Sequence, residues 1–191
     1  MLLQRLKEET LPQHRSLEAL LSMPPTRSAY LERVKCFFGY IEPWEGRVFA
    51  RLQEFPSLIN GRAKTAWLRE DLVSLGLSED AIAAIPRCEN LPDLSSEAKA
   101  LGSLYVWEGS TLGGQYISRH LRDRLAITPA TGGRFFWSYG ADVGTNWRHF
   151  LSELNQCSSP QNDGAIIAGA RDTFETLQRW AAIIECDGAR N

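Results

Sequence analysis

Apolar residues recur at helical spacing along most of the chain. Near the N-terminus a set of apolar and polar residues advances in alternating steps of four and three, and it comprises Leu3, Lys7, Thr10, His14, Leu17 and Leu21. This spacing places the set on one face of a helix that covers residues 1–22. Pro12 lies inside the pattern and predicts a kink or a restart of the helix. The Met23-Pro24-Pro25 stretch ends it.

Similar patterns predict further helices along the rest of the chain. They cover residues 28–55, 63–75, 79–85, 95–126 and 142–157, and a last helix follows. Pro43 interrupts the first of these patterns, which predicts either one kinked helix or two consecutive helices. No stretch shows the alternation of a strand, so we expect an all-α fold, a single-domain bundle of many helices over residues 1–191.

Several helix starts carry the residues that favour them. Ser78 is a natural N-cap for the helix at 79–85, and Ser95 or Ser96 is one for the long helix that follows. Ser159 is followed by Pro160, and proline is well suited to the first position of a helix. The sequence therefore predicts that the last helix begins at this pair.

Charge and hydropathy exclude two classes of partner. The formal net charge is -2 at pH 7 and the sequence pI is about 6.0, without the basic excess that binds a phosphate backbone. No apolar run approaches the roughly 20 residues that cross a bilayer. The N-terminal segment MLLQRLKEET is also too charged for a signal peptide. We expect a cytoplasmic protein with no nucleic-acid partner and no membrane span.

The cysteines show no metal-binding spacing. Cys36, Cys88, Cys157 and Cys186 lie far apart, and no C-x-x-C pair is present for zinc. In a reducing compartment they are interpreted as reduced thiols that mostly pack in the core. A disulfide framework in an extracellular protein is the alternative.

His14 is the first candidate ligand. It shares a helix face with apolar residues, so its side chain is expected to point into the domain rather than into water. Glu18 lies four residues later, close enough on a helix to contact the second imidazole nitrogen directly or through water. A neutral imidazole held in this way can bind a metal ion, although a lone histidine on an apolar face is also common as a hydrogen-bonded core residue.

The long helix at 95–126 contains a second unusual feature. Gly109, Gly113 and Gly114 lie within six residues, although each glycine in a helix interior lowers stability by roughly 1 kcal/mol relative to alanine. Three of them predict a local loosening or bend. Gly109 and Gly113 share a face, which lets a flat object approach the backbone closely. That object is either another helix or a planar ligand.

These two elements together resemble the site motifs of the haem oxygenase family. The segment LKEETLPQH at residues 6–14, with Glu18 after it, is similar to the proximal helix of that family. The segment GSTLGGQ at residues 109–115 is similar to its glycine-rich distal helix. Their order and separation also fit, and the similarity spans most of the chain. It is closest to the bacterial subgroup associated with bacteriophytochromes.

The resemblance implies a haem site in which His14 binds the iron. The backbone of the three glycines would cover the opposite face of the porphyrin, Arg148 and Lys7 would contact the propionates, and Phe174 would pack near the macrocycle. For Arg148 and Lys7 a solvated helix charge is the alternative, and for Phe174 it is core packing. The residues assigned to haem binding are His14, Glu18, Lys7, Thr10, Gly109, Gly113, Gly114, Arg148 and Phe174.

Ser110 is a departure from the family pattern. Many members have an aspartate directly after the first distal glycine, where it organises a water network, and a serine hydroxyl supports a proton relay less strongly. Asp142 or another polar group is a candidate to compensate. The catalytic set implied by the resemblance is Ser110, Gly109 and Gly113. His120 and His149 are interpreted as structural.

The implied function is oxidative cleavage of haem, which is both substrate and cofactor, to biliverdin, carbon monoxide and iron. The sequence contains no G-x-G-x-x-G fingerprint for a nucleotide, so electrons are expected from a donor such as a ferredoxin or flavodoxin. A bacteriophytochrome is an expected acceptor of biliverdin. The alternatives are a non-catalytic haem carrier or sensor, a haem-free relative such as a thiaminase-like enzyme, and a structural helical module.

Overall fold

The structure, a computed structural model, describes residues 1–188, with side chains as far as residue 184. Within this range it contains nine α-helices and no strand, which confirms the predicted all-α, single-domain fold. The helices are α1 (Leu2–Leu20), α2 (Arg27–Arg51), α3 (Pro56–Ile59), α4 (Thr65–Ser74), α5 (Glu79–Ala83), α6 (Glu97–Leu125), α7 (Arg134–Trp137), α8 (Val143–Gln156) and α9 (Asp163–Gly188). Short 3-10 turns lie at Pro129–Thr131 and Gly140–Asp142.

Side-chain caps fix the starts of two predicted helices. The Ser78 hydroxyl accepts a hydrogen bond from the Ala81 amide at 3.2 Å, and the Ser96 hydroxyl accepts one from Lys99 at 3.3 Å. Each cap pairs a backbone N–H that has no partner inside its helix. The prediction for Ser78 is confirmed, and of the two candidates for α6 the cap is Ser96.

The last helix begins later than predicted. Ser159 and Pro160 lie in a turn, in which the Ser159 hydroxyl accepts a hydrogen bond from the Asn162 amide at 3.2 Å. The Ser159 carbonyl accepts another from the Asp163 amide at 2.9 Å. Ser159 thus makes the hydrogen bonds of the predicted N-cap, but α9 starts only at Asp163, so the predicted start of the helix at Pro160 was wrong.

The two internal prolines do not divide their helices. Pro12 lies inside α1 and Pro43 inside α2, and both helices continue through the proline. Proline removes one hydrogen bond of the helix, and tertiary packing of the surrounding turns overrides that loss. Of the two alternatives predicted at each proline, the restart at Pro12 and the pair of helices at Pro43 are wrong, and one continuous helix is present in both places. The glycine-rich segment of α6 is likewise helical throughout.

Three long helices frame the functional part of the fold, because α1 and α6 both pack along α9. The contact between α6 and α9 is very close, since a Cβ on Gly102 would lie 1.8 Å from the Ile166 carbonyl oxygen. A Cβ on Gly169 would lie 2.1 Å from the carbonyl oxygen of Lys99. Glycine at both positions lets the two backbones touch, and α2 completes the core with buried aromatic residues such as Trp44.

Asp71 holds the short helix α7 in place. Its carboxylate oxygens accept hydrogen bonds from the amides of Arg134 at 2.7 Å and Phe135 at 2.8 Å, the first two residues of α7. Asp71 is buried, and burial raises the pKa of its carboxyl to about 6 although the two amide bonds act in the opposite direction. The cap fixes Phe135 and Phe136, which line the cavity described below.

Two further expectations concern the cysteines and the membrane. Cys36 and Cys88 are buried and Cys157 is partly exposed, and none of the three forms a disulfide within the described residues. Cys186 lies outside the described side chains. Over residues 1–188 no helix is both long and apolar enough to span a bilayer.

Candidate active site

A cavity of about 850 Å³ lies between α1 and α6. Its walls come mainly from α1, α6, α7 and α9, and aromatic side chains such as Phe37, Tyr105 and Trp107 make much of it apolar. Single residues from neighbouring elements, among them Lys64 and Trp147, complete the lining. A concave, largely apolar space with a few polar groups is typical of a small-molecule site.

His14 lines this cavity from α1. Its Nδ1 lies 3.3 Å from Oε2 of Glu18, as the spacing of four residues predicted. The ring packs edge-on against Phe174 with centroids 5.7 Å apart, and Nε2 has no hydrogen-bond partner among the described residues. The expectation that His14 points away from water needs correction, because 51% of its side chain is exposed. It faces an open cavity instead of a packed core.

Gly109 and Gly113 line the cavity from α6, on the other side from His14. A Cβ on Gly113 would meet no atom within 4 Å, and one on Gly109 would make only an ordinary contact with Trp147 at 3.5 Å. Neither glycine is therefore required by packing against another helix. Of the two interpretations left open by the sequence, the bare backbone for a ligand is the one that this geometry favours.

Gly114 has a different role from its two neighbours. A Cβ at this position would lie 2.9 Å from the carbonyl oxygen of Phe136, so the glycine allows α7 to approach α6. Gly114 is buried, although it contributes to the cavity lining. The interpretation as helix packing therefore applies to Gly114.

Ser110 follows the first of these glycines and also lines the cavity. Its hydroxyl donates a hydrogen bond to the carbonyl of Trp107 at 2.7 Å. The donor is thereby engaged within the helix, and the oxygen lone pairs are left to accept from water. Asp142 does not line the cavity, so the structure does not bring this candidate for compensation to the site.

The other expected haem contacts divide into two groups. Lys7, Thr10 and Phe174 line the cavity, and the Thr10 hydroxyl donates to the carbonyl of Leu6 at 2.7 Å. Arg148 does not line it. This side chain is exposed on α8, where it donates hydrogen bonds at 3.3 Å to Gly144 and Thr145 of the same helix.

His120 and His149 lie away from the cavity lining, as interpreted from the sequence. Nε2 of His120 is 3.2 Å from the carbonyl oxygen of Pro24, and Nδ1 of His149 is 3.3 Å from the Arg62 guanidinium. Both histidines therefore tie neighbouring segments together. Among the described residues no group of three or more histidine, cysteine, aspartate or glutamate side chains could hold a metal ion.

A buried charged cluster behind the glycine-rich segment was not predicted. Glu108, the residue before Gly109, is 1% exposed and accepts hydrogen bonds from Arg62, Lys64 and Tyr139. The Tyr139 hydroxyl lies 3.1 and 3.2 Å from the two carboxylate oxygens of Glu108. Buried ions need such partners, because an unpaired charge in the interior is strongly unfavourable.

Lys64 is the member of this cluster that lines the cavity. Burial lowers the pKa of its ammonium, but the neighbouring Glu108 carboxylate and Tyr139 hydroxyl outweigh this effect and raise the pKa above its ordinary value. Burial also raises the pKa of the Tyr139 hydroxyl. Lys64 is therefore a cation and Tyr139 a neutral hydrogen-bond donor at neutral pH.

Comparison with known proteins gives this site a family. Residues 1–182 match the model of the family described as "Heme oxygenase", and because the match covers nearly the whole chain, the protein belongs to the haem oxygenase family. A curated heme oxygenase from Xanthomonas campestris pv. campestris (strain 8004) is 40% identical over 115 residues, which are 59% of this chain and 64% of that relative. The match thus spans less than two thirds of the relative's length.

Solved structures agree on the fold. The haem oxygenase from Neisseria meningitidis, determined with NO and CO bound, has a TM-score of 0.74 at 21% identity, covering 96% of this chain and 92% of that one. The haem oxygenase from Leptospira interrogans has a TM-score of 0.74 at 15% identity, covering 95% and 98% respectively. At these identities the likeness concerns the fold alone.

Proposed function

We propose that this protein is a haem oxygenase, an enzyme that cleaves haem to biliverdin, carbon monoxide and iron with O2 and electrons from an external donor. Membership of the family supports this function. The observation that carries it is the pairing of His14 with the bare backbone of Gly109 and Gly113 across one cavity. A Cβ on either glycine would meet no close neighbour, so packing within the protein does not require glycine at these two positions.

The residues present fit a haem. His14 lines the cavity and would bind the iron through one imidazole nitrogen while Glu18 contacts the other. A Cβ on Gly113 would project into open space, so glycine leaves room there that no protein atom uses. The apolar lining with Phe37 and Phe174 suits the faces of a porphyrin.

Glu18 has the role of orienting His14. The Glu18 carboxylate lies 3.3 Å from Nδ1 of His14, where it can orient the ring so that Nε2 is left for a ligand. A carboxylate behind a ligating histidine also raises the basicity of the ligand nitrogen. Both groups are partly exposed, so this orienting effect is moderate.

The opposite wall confines the space above the haem. When bound, haem supplies the iron that binds and activates O2. The backbone at Gly109 and Gly113 would limit where a small ligand fits, and the Ser110 oxygen would be able to accept a hydrogen bond from a water beside it. Lys7, which lines the cavity, would provide a positive charge for a propionate, whereas Arg148 would have to leave its present partners on α8 to do so.

The partners and setting of the enzyme are part of the same proposal. A ferredoxin or flavodoxin supplies electrons, since the sequence lacks a nucleotide-binding fingerprint of its own. The resemblance of residues 6–14 and 109–115 supports the subgroup that provides biliverdin to bacteriophytochromes. The match of residues 1–182 to one family model supports a single domain, and the same proposal assigns the protein to the cytoplasm.

Turnover of added haem tests the function. Purified protein is loaded with haem, supplied with ascorbate or a ferredoxin system in air, and followed by absorption while released carbon monoxide is trapped. We expect the Soret band to decay into a biliverdin spectrum with one carbon monoxide per haem. His14→Ala should lose this reaction, whereas His120→Ala, which alters a histidine outside the cavity, should retain it.

Two results would contradict the proposal. A Soret band that persists under these conditions indicates a haem carrier or sensor, which the serine at position 110 would then explain. Equal turnover by His14→Ala and wild type would instead remove His14 from the mechanism.

A further inference from the structure

Ser138, at the end of α7, combines three features that no structural role explains. The residue is 2% exposed, and its hydroxyl has no hydrogen-bond partner among the described residues. It lines the same cavity as His14. Its backbone has φ 52° and ψ -120°, a conformation that residues with a Cβ rarely adopt.

The surrounding structure holds Ser138 in this conformation. Its amide donates to the Arg134 carbonyl at 2.9 Å, and the Arg134 guanidinium donates to the Ser138 carbonyl. From α6, Gln115 donates to the carbonyl of Trp137 at 3.0 Å. A strained backbone persists only where its neighbours fix it, and such residues concentrate at ligand sites.

Ser138 lies on the α6 side of the cavity, next to the buried charged cluster. The following residue, Tyr139, bonds both carboxylate oxygens of Glu108, and the Lys64 ammonium is 3.4 Å from the Tyr139 hydroxyl. Lys64 lines the cavity as well. The Ser138 hydroxyl and the Lys64 ammonium thus both border the cavity that His14 lines.

We propose that Ser138 is a further binding residue of the cavity, whose hydroxyl donates a hydrogen bond, directly or through one water, to a small oxygen-containing or anionic ligand opposite His14. This inference rests on the proposed function, since haem on His14 would present such a ligand to α6. A buried hydroxyl without a partner is unfavourable by itself. A ligand or an ordered water in the cavity supplies that partner.

If position 138 served only to form a turn, a different residue would be favoured there. Glycine adopts positive φ without strain, so a turn with no other role is better served by glycine than by serine. The haem-free Ser138→Gly variant should therefore have a higher melting temperature than the haem-free Ser138→Ala variant. Because it also lacks the hydroxyl, this variant keeps the test available if Ser138→Ala folds poorly.

Fluoride binding to the ferric haem complex measures the proposed hydrogen bond. Fluoride is a small anion whose affinity depends on nearby hydrogen-bond donors, and its binding is read from the absorption spectrum. We expect both Ser138→Ala and Ser138→Gly to bind fluoride roughly fivefold to tenfold more weakly than wild type, the loss of one hydrogen bond. Ser118→Ala is the matched control, because Ser118 is a buried serine of α6 that does not line the cavity.

The outcomes separate this inference from the function on which it rests. Specific haem uptake by all variants with unchanged fluoride affinity overturns the role of Ser138 and leaves the proposed function standing. An equal loss of affinity in Ser118→Ala also overturns it, since the effect would then be general to α6. A wild-type protein that takes up no haem contradicts the proposed function, and this inference with it.

Discussion

The two halves of α6 use glycine for opposite purposes. In the first half, every residue from 100 to 108 is buried, and Gly102 exists to let the α9 backbone come within contact distance. In the second half, Gly109 and Gly113 face a cavity, and a Cβ on Gly113 would touch nothing within 4 Å. Glycine in a helix can thus mark a packing contact or a ligand surface, and only the surroundings distinguish the two.

Glu108 stands at the boundary between these halves. The first half stabilises the fold because its residues pack entirely against other protein atoms. The second half leaves space that the protein does not fill, and the buried cluster of Glu108, Lys64, Arg62 and Tyr139 fixes its position. A glycine-to-alanine substitution is therefore expected to lower stability in the first half and to raise it at the cavity-facing positions of the second.

Loss of the boundary cluster should have the largest effect. Lys64→Met removes a buried cation that pairs with Glu108, and removing one partner of a buried ion pair destabilises by about 3 to 5 kcal/mol. Denaturant unfolding measures the change. Lys99→Met is the control, because Lys99 pairs with Asp93 at a partly exposed site and should change stability by about 1 kcal/mol or less. Similar losses in both variants would contradict a special role for the cluster.

Gly102→Ala should break the packing half. The new Cβ would lie 1.8 Å from the Ile166 carbonyl oxygen, so α6 and α9 must separate. We expect a loss of about 3 kcal/mol in the free energy of unfolding, at the upper end of overpacking effects. Gly46→Ala in α2, where a Cβ meets no atom within 4 Å, should instead be neutral or stabilising. Thermal and denaturant unfolding of both variants measure these changes in stability, and equal stabilities for Gly102→Ala and Gly46→Ala would contradict the packing role of Gly102.

Asp71 links the second half of α6 to pH, because it caps the helix that packs on Gly114. The pKa of its carboxyl is about 6 in the folded protein, above its ordinary value of 3.8. Between these values the unfolded chain loses this proton while the folded protein retains it, so the contribution to stability falls as pH rises from about 4 to 6. Relative to Asp71→Asn, wild type should lose on the order of 2 to 3 kcal/mol over this window. Parallel stability profiles for the two proteins would contradict the shift.

Gly113→Ala should have the smallest effect on stability, and one of the opposite sign to Gly102→Ala. Alanine in a helix interior is favoured over glycine by roughly 0.5 to 1 kcal/mol, and the added Cβ meets no protein atom within 4 Å. The haem-free variant should therefore unfold at higher denaturant concentration than wild type. The same Cβ occupies the space proposed for haem, so haem affinity should fall roughly tenfold. Unchanged affinity would place the haem elsewhere.

The sequence was sufficient for the longer helices, but it did not predict the four-residue helices α3 and α7. The spacing of four between His14 and Glu18 predicts their contact because the helix period brings such residues together. The same reasoning failed for exposure. A periodic face predicts burial only if another element covers it, and at His14 the adjoining space is the cavity.

The buried cluster could not be predicted because its members are distant in sequence. Lys64 and Glu108 are 44 residues apart, and charged residues in a sequence are ordinarily interpreted as solvated. The strain at Ser138 is a property of backbone angles that no residue pattern reveals. Arg148 shows the converse problem, since a matching motif position does not establish that the side chain reaches the cavity.

Replacement of the proposed iron ligand tests the central claim most directly. His14→Gly removes the imidazole and leaves the walls of the cavity in place, so free imidazole can enter in its stead. We predict that this variant loses the wild-type spectrum of bound haem and regains it when imidazole is added, whereas His120→Gly keeps the wild-type spectrum throughout. A wild-type spectrum from His14→Gly without imidazole would contradict haem binding through His14, and with it the assignment of this cavity as the active site.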